Sequence, residues 1–137
     1  MAAFPFTTDS SLNVYIGGEF TGVVNNGGAT ITANAVAKIS PDGVFNYLST
    51  NTIVGSIIAN GTIALDLSNN LFFALYNNVN ATAIYKYSVS SNNYFTIGTT
   101  NGGYYTVYKS PNSNVLYFTS NFTLINSIPI NGIASYS

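Results

Sequence analysis

The stretch FPFTTDSSLNVYIGGEF, Phe4 to Phe20, returns as TVYKSPNSNVLYFTSNF, Thr106 to Phe122. Aligned without a gap, Phe6 falls on Tyr108, Ser11 on Ser113, Val14 on Leu116, Tyr15 on Tyr117 and Phe20 on Phe122. Both copies then continue with threonine, Thr21 and Thr123. Farther along, Asn34-Ala35-Val36-Ala37-Lys38-Ile39-Ser40 resembles Asn131-Gly132-Ile133-Ala134-Ser135-Tyr136-Ser137. A weaker middle copy starts at Ser68-Asn69-Asn70-Leu71-Phe72-Phe73, which matches Ser113 to Phe118 with a slip of one. It leads to Asn80-Ala81-Thr82-Ala83-Ile84-Tyr85-Lys86-Tyr87-Ser88. Self-similarity of this kind means one supersecondary unit built several times over.

That unit is made of strands. Short β-rich runs recur at Phe4–Thr7, Val14–Thr21, Ala35–Ile39, Val44–Leu48, Ile63–Leu67, Leu71–Tyr76, Ala83–Ser88, Tyr94–Ile97, Tyr104–Tyr108, Leu116–Phe122 and Ile133–Tyr136. Clusters of Asn, Gly, Ser, Pro and Asp separate them, as turns separate strands. Asn60-Gly61 and Asn101-Gly102 are hairpin dipeptides, and Pro41-Asp42-Gly43 is a turn signal. No segment carries a sustained helical period with caps. The steps between copies, about 57 and about 45 residues, lie near the roughly 40–50 residues of a four-stranded propeller blade. The longer first step places insertions at Val23–Ile31, where Asn25-Asn26-Gly27-Gly28 signals a turn, and at Asn51–Asn60. The expectation is one all-β domain over residues 1–137, with repeats at about 3–50, 61–99 and 103–137. It would have about three four-stranded antiparallel, propeller-like blades, the last lacking its fourth strand, with a β-sandwich as the alternative fold.

Val14-Tyr15-Ile16-Gly17-Gly18-Glu19-Phe20-Thr21, followed by Asn34-Ala35-Val36-Ala37-Lys38-Ile39, resembles the propeller-type repeats of surface proteins, which read roughly V-Y-[IV]-G-G-x-F-T and then N-x-I-A-x-Y. The copy at Leu116 to Thr123 with Asn131 to Tyr136 fits except that Thr119-Ser120 replaces the glycine pair. The middle copy lacks both the pair and the Phe-Thr. The resemblance covers most of the chain and implies fold far more than function. The glycine pair itself reads as a bulge or close backbone approach. Propellers close with about four to eight blades, so three blades would leave strand edges open, and open edges pair with other chains.

Charge narrows the partners. Charged residues are 5% of the chain, against roughly 25% in ordinary proteins, and the whole set is Lys38, Lys86 and Lys109 against Asp9, Glu19, Asp42 and Asp66. With 11 Tyr and 9 Phe the chain is too apolar for disorder. Three scattered lysines cannot neutralise a phosphate backbone or an anionic membrane, so no nucleic-acid partner is expected. A net charge of -1 gives little repulsion between copies and favours self-association. The longest apolar runs are far too short for a membrane span, so no membrane insertion is expected. The first residues carry neither the basic nor the apolar region of a signal peptide.

Catalysis finds few groups to work with. There is no His and no Cys, which removes the Ser-His and Cys-His dyads and zinc sites. Asp9, Asp42 and Asp66 sit in turn-like contexts, and nothing pairs two carboxylates across a bond as glycoside hydrolysis needs. Asp42-Gly43 is no calcium loop, and Gly17-Gly18 and Gly27-Gly28 lack the lysine and helix of a phosphate loop. The chain is therefore expected to be no enzyme and to hold no metal or cofactor. Tyr85, Tyr87, Tyr104 and Tyr105 are the candidate ligand or interface contacts, since aromatic faces beside Asn and Ser suit sugars and protein partners. Asn60, Asn80 and Asn121 stand in N-x-[ST] sequons and are candidate glycosylation sites.

These features point to a self-assembling structural protein: a virion component, a surface filament or an extracellular lattice. Such a protein would sit outside the cell, at its surface or in a virion. Its partners would be sister chains paired through exposed strand edges, with other surface or capsid proteins or glycans besides. An adhesion or carbohydrate-binding module, and a fragment of a longer propeller protein, are the alternatives.

Overall fold

Leu71-Phe72-Phe73-Ala74-Leu75 offers no polar position, so a strand made of it must be covered on both faces. In a computed structural model of the chain it is the middle of the molecule: Leu71, Phe72, Phe73 and Leu75 are all buried. The structure describes residues 5–18, 20–24, 28–33, 35–46, 48, 63–76, 82–101 and 106–137.

Among these residues every regular element is a strand. In chain order they are β1 (Phe6–Thr8), β2 (Val14–Gly17), β3 (Gly22–Val24), β4 (Thr30–Thr32), β5 (Val36–Ile39), β6 (Phe45–Asn46), β7 (Ile63–Leu65), β8 (Leu71–Tyr76), β9 (Thr82–Ser88), β10 (Asn93–Thr100), β11 (Thr106–Lys109), β12 (Leu116–Thr119), β13 (Leu124–Ile125), β14 (Ile128–Pro129) and β15 (Ile133–Tyr136). They pair antiparallel into a first sheet, β1-β2-β5-β6, a central sheet, β14-β13-β10-β9-β8-β7, a third sheet, β11-β12-β15, and a separate hairpin, β3-β4.

The central sheet is sandwiched between the other two. Alternation along β7, β8 and β9 sends Ile63, Leu65, Leu71, Phe73, Leu75 and Tyr87 to one face. There they pack with Tyr15, Val36 and Leu48 of the first sheet and its continuation. Ala64, Phe72 and Ile84 point the other way and pack with Val107, Leu116 and Phe118 of the third sheet. The strands β1 and β11 both lie against β7, so the leading strands of the three sheets adjoin.

The turns show why these residues fold this way. Between β1 and β2, the Asp9 carboxylate accepts from the backbone N–H of Ser11 and of Asn13, and Leu12 is left-handed, φ 63°. Between β7 and β8, Asp66 accepts from Ser68 and Asn70 N–H in the same way, with Asn69 at φ 61°. Between β11 and β12, Ser110 stands in place of the aspartate and its N–H reaches one residue farther, to the Val115 carbonyl. The turn between β11 and β12 is thus one residue longer than the turn between β1 and β2. Thr8 pairs with Val14 and Lys109 pairs with Leu116, so by register within the two hairpins Phe6 and Val107 hold equivalent positions.

Two more differences from the sequence reading concern length and number. The run Val14–Thr21 ends as a strand at Gly17, and Leu116–Phe122 ends at Thr119. Each chain then leaves its sheet to form an extra hairpin, β3-β4 or β13-β14. The first falls in the segment Val23–Ile31 that was expected to be an insertion, of which residues 25–27 lie outside the described residues; the second was not expected. The glycine pair creates no bulge, since Gly17 pairs in register with Val36 and neither Gly17 nor Gly18 has positive φ. The turn at Pro41-Asp42-Gly43 joins β5 to β6, with Gly43 at φ 82°. The insertion Asn51–Asn60 and the dipeptide Asn60-Gly61 lie outside the described residues.

Candidate functional site

The leading strands meet where their turns meet. Asn69 Nδ2 donates to Ser10 Oγ at 3.3 Å, which ties the β7–β8 turn to the β1–β2 turn. Leu67 N–H donates to Asn114 Oδ1 at 2.9 Å, which ties it to the β11–β12 turn. Between these strands opens a cleft of about 350 Å³, lined by Thr7, Asp9, Ser10, Asp66, Asn69 and Lys109 among others. It gathers three of the few charged residues of the chain.

The carboxylates of the cleft are already occupied. Asp9 Oδ1 accepts from Ser11 and Asn13 N–H, and Oδ2 accepts from Asn13 Nδ2 at 2.8 Å and from the Tyr15 hydroxyl at 3.1 Å. Burial pulls the Asp9 carboxyl upward, but the hydrogen bonds from Asn13, Ser11 and Tyr15 outweigh it and hold it below its ordinary value. An acid held in its ionised form with its lone pairs taken is poorly placed to carry protons. Burial, then the neighbouring Asp9 charge and hydrogen bond, push the Tyr15 hydroxyl well above its ordinary value, so it stays a donor. Asp66 is held by Ser68, Asn70 N–H and Asn70 Nδ2. These aspartates shape turns. Among the described residues no three His, Cys, Asp or Glu side chains cluster to hold a metal ion. Glu19 lies outside them.

Two of the candidate tyrosines are part of the packing. Tyr85 stacks on Phe73 with ring centroids 5.9 Å apart. Tyr87 is buried in the core between the first and central sheets, leans on Tyr94, and donates its hydroxyl to Asn92 Oδ1 at 2.6 Å. Burial raises the Tyr87 hydroxyl above its ordinary value, in keeping with a proton held in that bond. On the opposite face Lys86 lies over the Phe72 ring, 5.7 Å from its centroid, and Tyr136 meets the same ring. Tyr104 and Tyr105 lie outside the described residues, as do Asn60 and Asn80. Asn121 is exposed and accepts from Ser120 Oγ.

The other surface of note is at the two ends of the stack. The face of the first sheet opposite Tyr15 carries Phe6, Val14, Ile16, Ala37, Ile39 and Phe45; Phe6 is exposed, Val14, Ile16, Ile39 and Phe45 are half-buried, and Ala37 is buried. None of these joins either core cluster, and Phe6 is 70% exposed. The outward face of the third sheet carries Tyr108 and Tyr117, directly opposite each other, and Ile133, all exposed. Sequence reading missed Tyr108 and Tyr117 in favour of other tyrosines. It also missed the bridging asparagines: Asn114, which joins two sheets, and, within the central sheet, Asn101, whose Oδ1 accepts from Thr123 and Leu124 N–H, and Asn126, whose Oδ1 accepts from Thr99 N–H. Their only signal is the abundance of asparagine, which does not say which ones bridge.

No protein-family model matches the chain, and no curated protein matches its sequence. Among the described residues no helix is long and apolar enough to cross a membrane.

Proposed function

We propose that this chain is a non-catalytic structural protein whose work is to associate with copies of itself, as a subunit of a virion, a surface filament or an extracellular lattice. The observation that carries this reading is the pair of uncharged outer faces, one aliphatic and aromatic around Phe6, the other presenting Tyr108, Tyr117 and Ile133. Exposed apolar patches mark interaction surfaces, and a net charge of -1 offers nothing to keep copies apart. The occupied carboxylates of Asp9 and Asp66 favour a structural over a catalytic role. We read the three stacked sheets as propeller-like blades. What supports this is their order along the chain, their adjoining leading strands and their face-to-face packing.

Light scattering coupled to size exclusion tests the function. A discrete oligomer or a polymer is expected, and a monomer that persists up to high concentration would remove the reading. The exposed tyrosine pair of the third sheet supports a second reading, a carbohydrate-binding module, because two adjacent aromatic rings suit a sugar face. Retention on a glycan array by a monomeric protein would favour it.

A further inference from the structure

We propose that copies of this chain join head to tail, the outer face of the first sheet of one copy packing on the outer face of the third sheet of the next. The inference rests on the self-association reading and names the surfaces that carry it.

Register fixes which residues correspond in the three sheets. Val14, Leu71 and Leu116 each face the last residue of the leading strand: Thr8, Leu65 and Lys109. They also face the same position on the following strand: Ile39, Tyr87 and Tyr136. Tyr15, Phe72 and Tyr117 are the next residues along. In the central sheet the Leu71 side packs backward on the first sheet, and the Phe72 side packs forward on the third. The third sheet turns its Leu116 side backward to the central sheet, and the first turns its Tyr15 side forward. The chain thus builds one kind of interface twice: the Tyr15 or Phe72 side of one sheet against the Leu71 or Leu116 side of the next.

Each half of that interface is left over once. The first sheet keeps its Val14 side, with Phe6 and Ile16, outside both cores. The third sheet keeps its Tyr117 side, with Tyr108 and Ile133. The two spare halves are the two complementary members of an interface already made twice within the chain, so a second copy is the occupant that fits both. Among the described residues neither half carries a charge that would have to be buried.

The hairpins support the same direction. Ala33 N–H to the Thr21 carbonyl matches Ile130 N–H to the Thr123 carbonyl, and Ala35 N–H to Phe20 matches Gly132 N–H to Phe122, so β3-β4 and β13-β14 leave their sheets at corresponding points. The hairpin β13-β14 reaches backward and pairs with β10 of the sheet behind, Ile125 against Thr100. By that correspondence β3-β4 extends toward whatever packs behind the first sheet. An interface between different surfaces is heterologous and generates a ring or an open filament.

Two exposed-site variants, Phe6→Lys and Tyr108→Lys, test this, with circular dichroism to check that each is folded. Sedimentation should show wild type assembling. Each variant alone should need about tenfold or more higher concentration to do so, since a lysine is then buried without a partner. Mixed in equal amounts, the two variants should form a dimer and nothing larger, because one intact interface remains between them. Wild-type assembly with both variants unimpaired would overturn the face assignment and leave self-association standing. Wild type that stays monomeric would overturn both.

Discussion

Tyr15 shows how a single side chain links turn and core. Its ring is buried against the central sheet while its hydroxyl reaches back to the Asp9 carboxylate that organises the β1–β2 turn. Tyr15→Phe keeps the ring and removes one donor from a charged acceptor, so it should lower stability by about 1–2 kcal/mol in urea denaturation with little change in slope. The same contact sets an acid response. The folded Asp9 carboxyl titrates below its reference value of 3.8, so its stabilisation is fully present above that value and is lost as pH falls through the lower folded value. Melting temperatures from pH 6 to pH 2 should therefore show wild type losing its margin over Asp9→Asn only at the acid end. A margin that does not change with pH would contradict this account of the turn.

At the scale of elements, the two-residue turn of β13-β14 is the one that composition hides. Asn126 and Ser127 are both left-handed, at φ 50° and 65°, the pattern of a type I′ turn that glycine normally signals at the second position. Ser127 is exposed, so Ser127→Gly should remove backbone strain without losing a contact and stabilise the protein by roughly 0.5–1 kcal/mol. Thermal unfolding measures it. The strands that were legible, β8 and β9 among them, have long runs rich in aromatic and aliphatic residues. The ones that were not, β3, β4, β13 and β14, are two or three residues long and owe their form to tertiary partners such as Asn101 and Asn126. Among candidate residues, tyrosine spacing on one strand could not tell Tyr87, whose side meets a neighbouring sheet, from Tyr108, whose side meets none.

At the scale of the whole molecule, the strand-rich runs tell of an all-β chain, and the structure adds which side of each sheet looks where. The proposed self-association rests on an arithmetic of faces: among the described residues three stacked sheets have six, two interfaces use four, and two remain. Because the described residues of these two faces carry no charge, assembly should change little between low and moderate salt, where charge-steered association would weaken. Sedimentation at about 0.05 and 0.5 M salt would check it, and a large loss of assembly at the higher value would point to another contact.

The hydrogen bonds among the three leading turns have a mechanical consequence. Asn69 holding Ser10, and Asn114 holding Leu67, act like the rivet of a folding fan: the leaves are pinned by hydrogen bonds at one rim, and elsewhere ring and side-chain packing, such as Tyr136 on Phe72, holds them face to face. Agitation should therefore open the molecule from the margins, at β6, β14 and β15, and reach β7 and β8 last. Hydrogen–deuterium exchange would show this as a gradient of amide lifetimes running outward from the rivet.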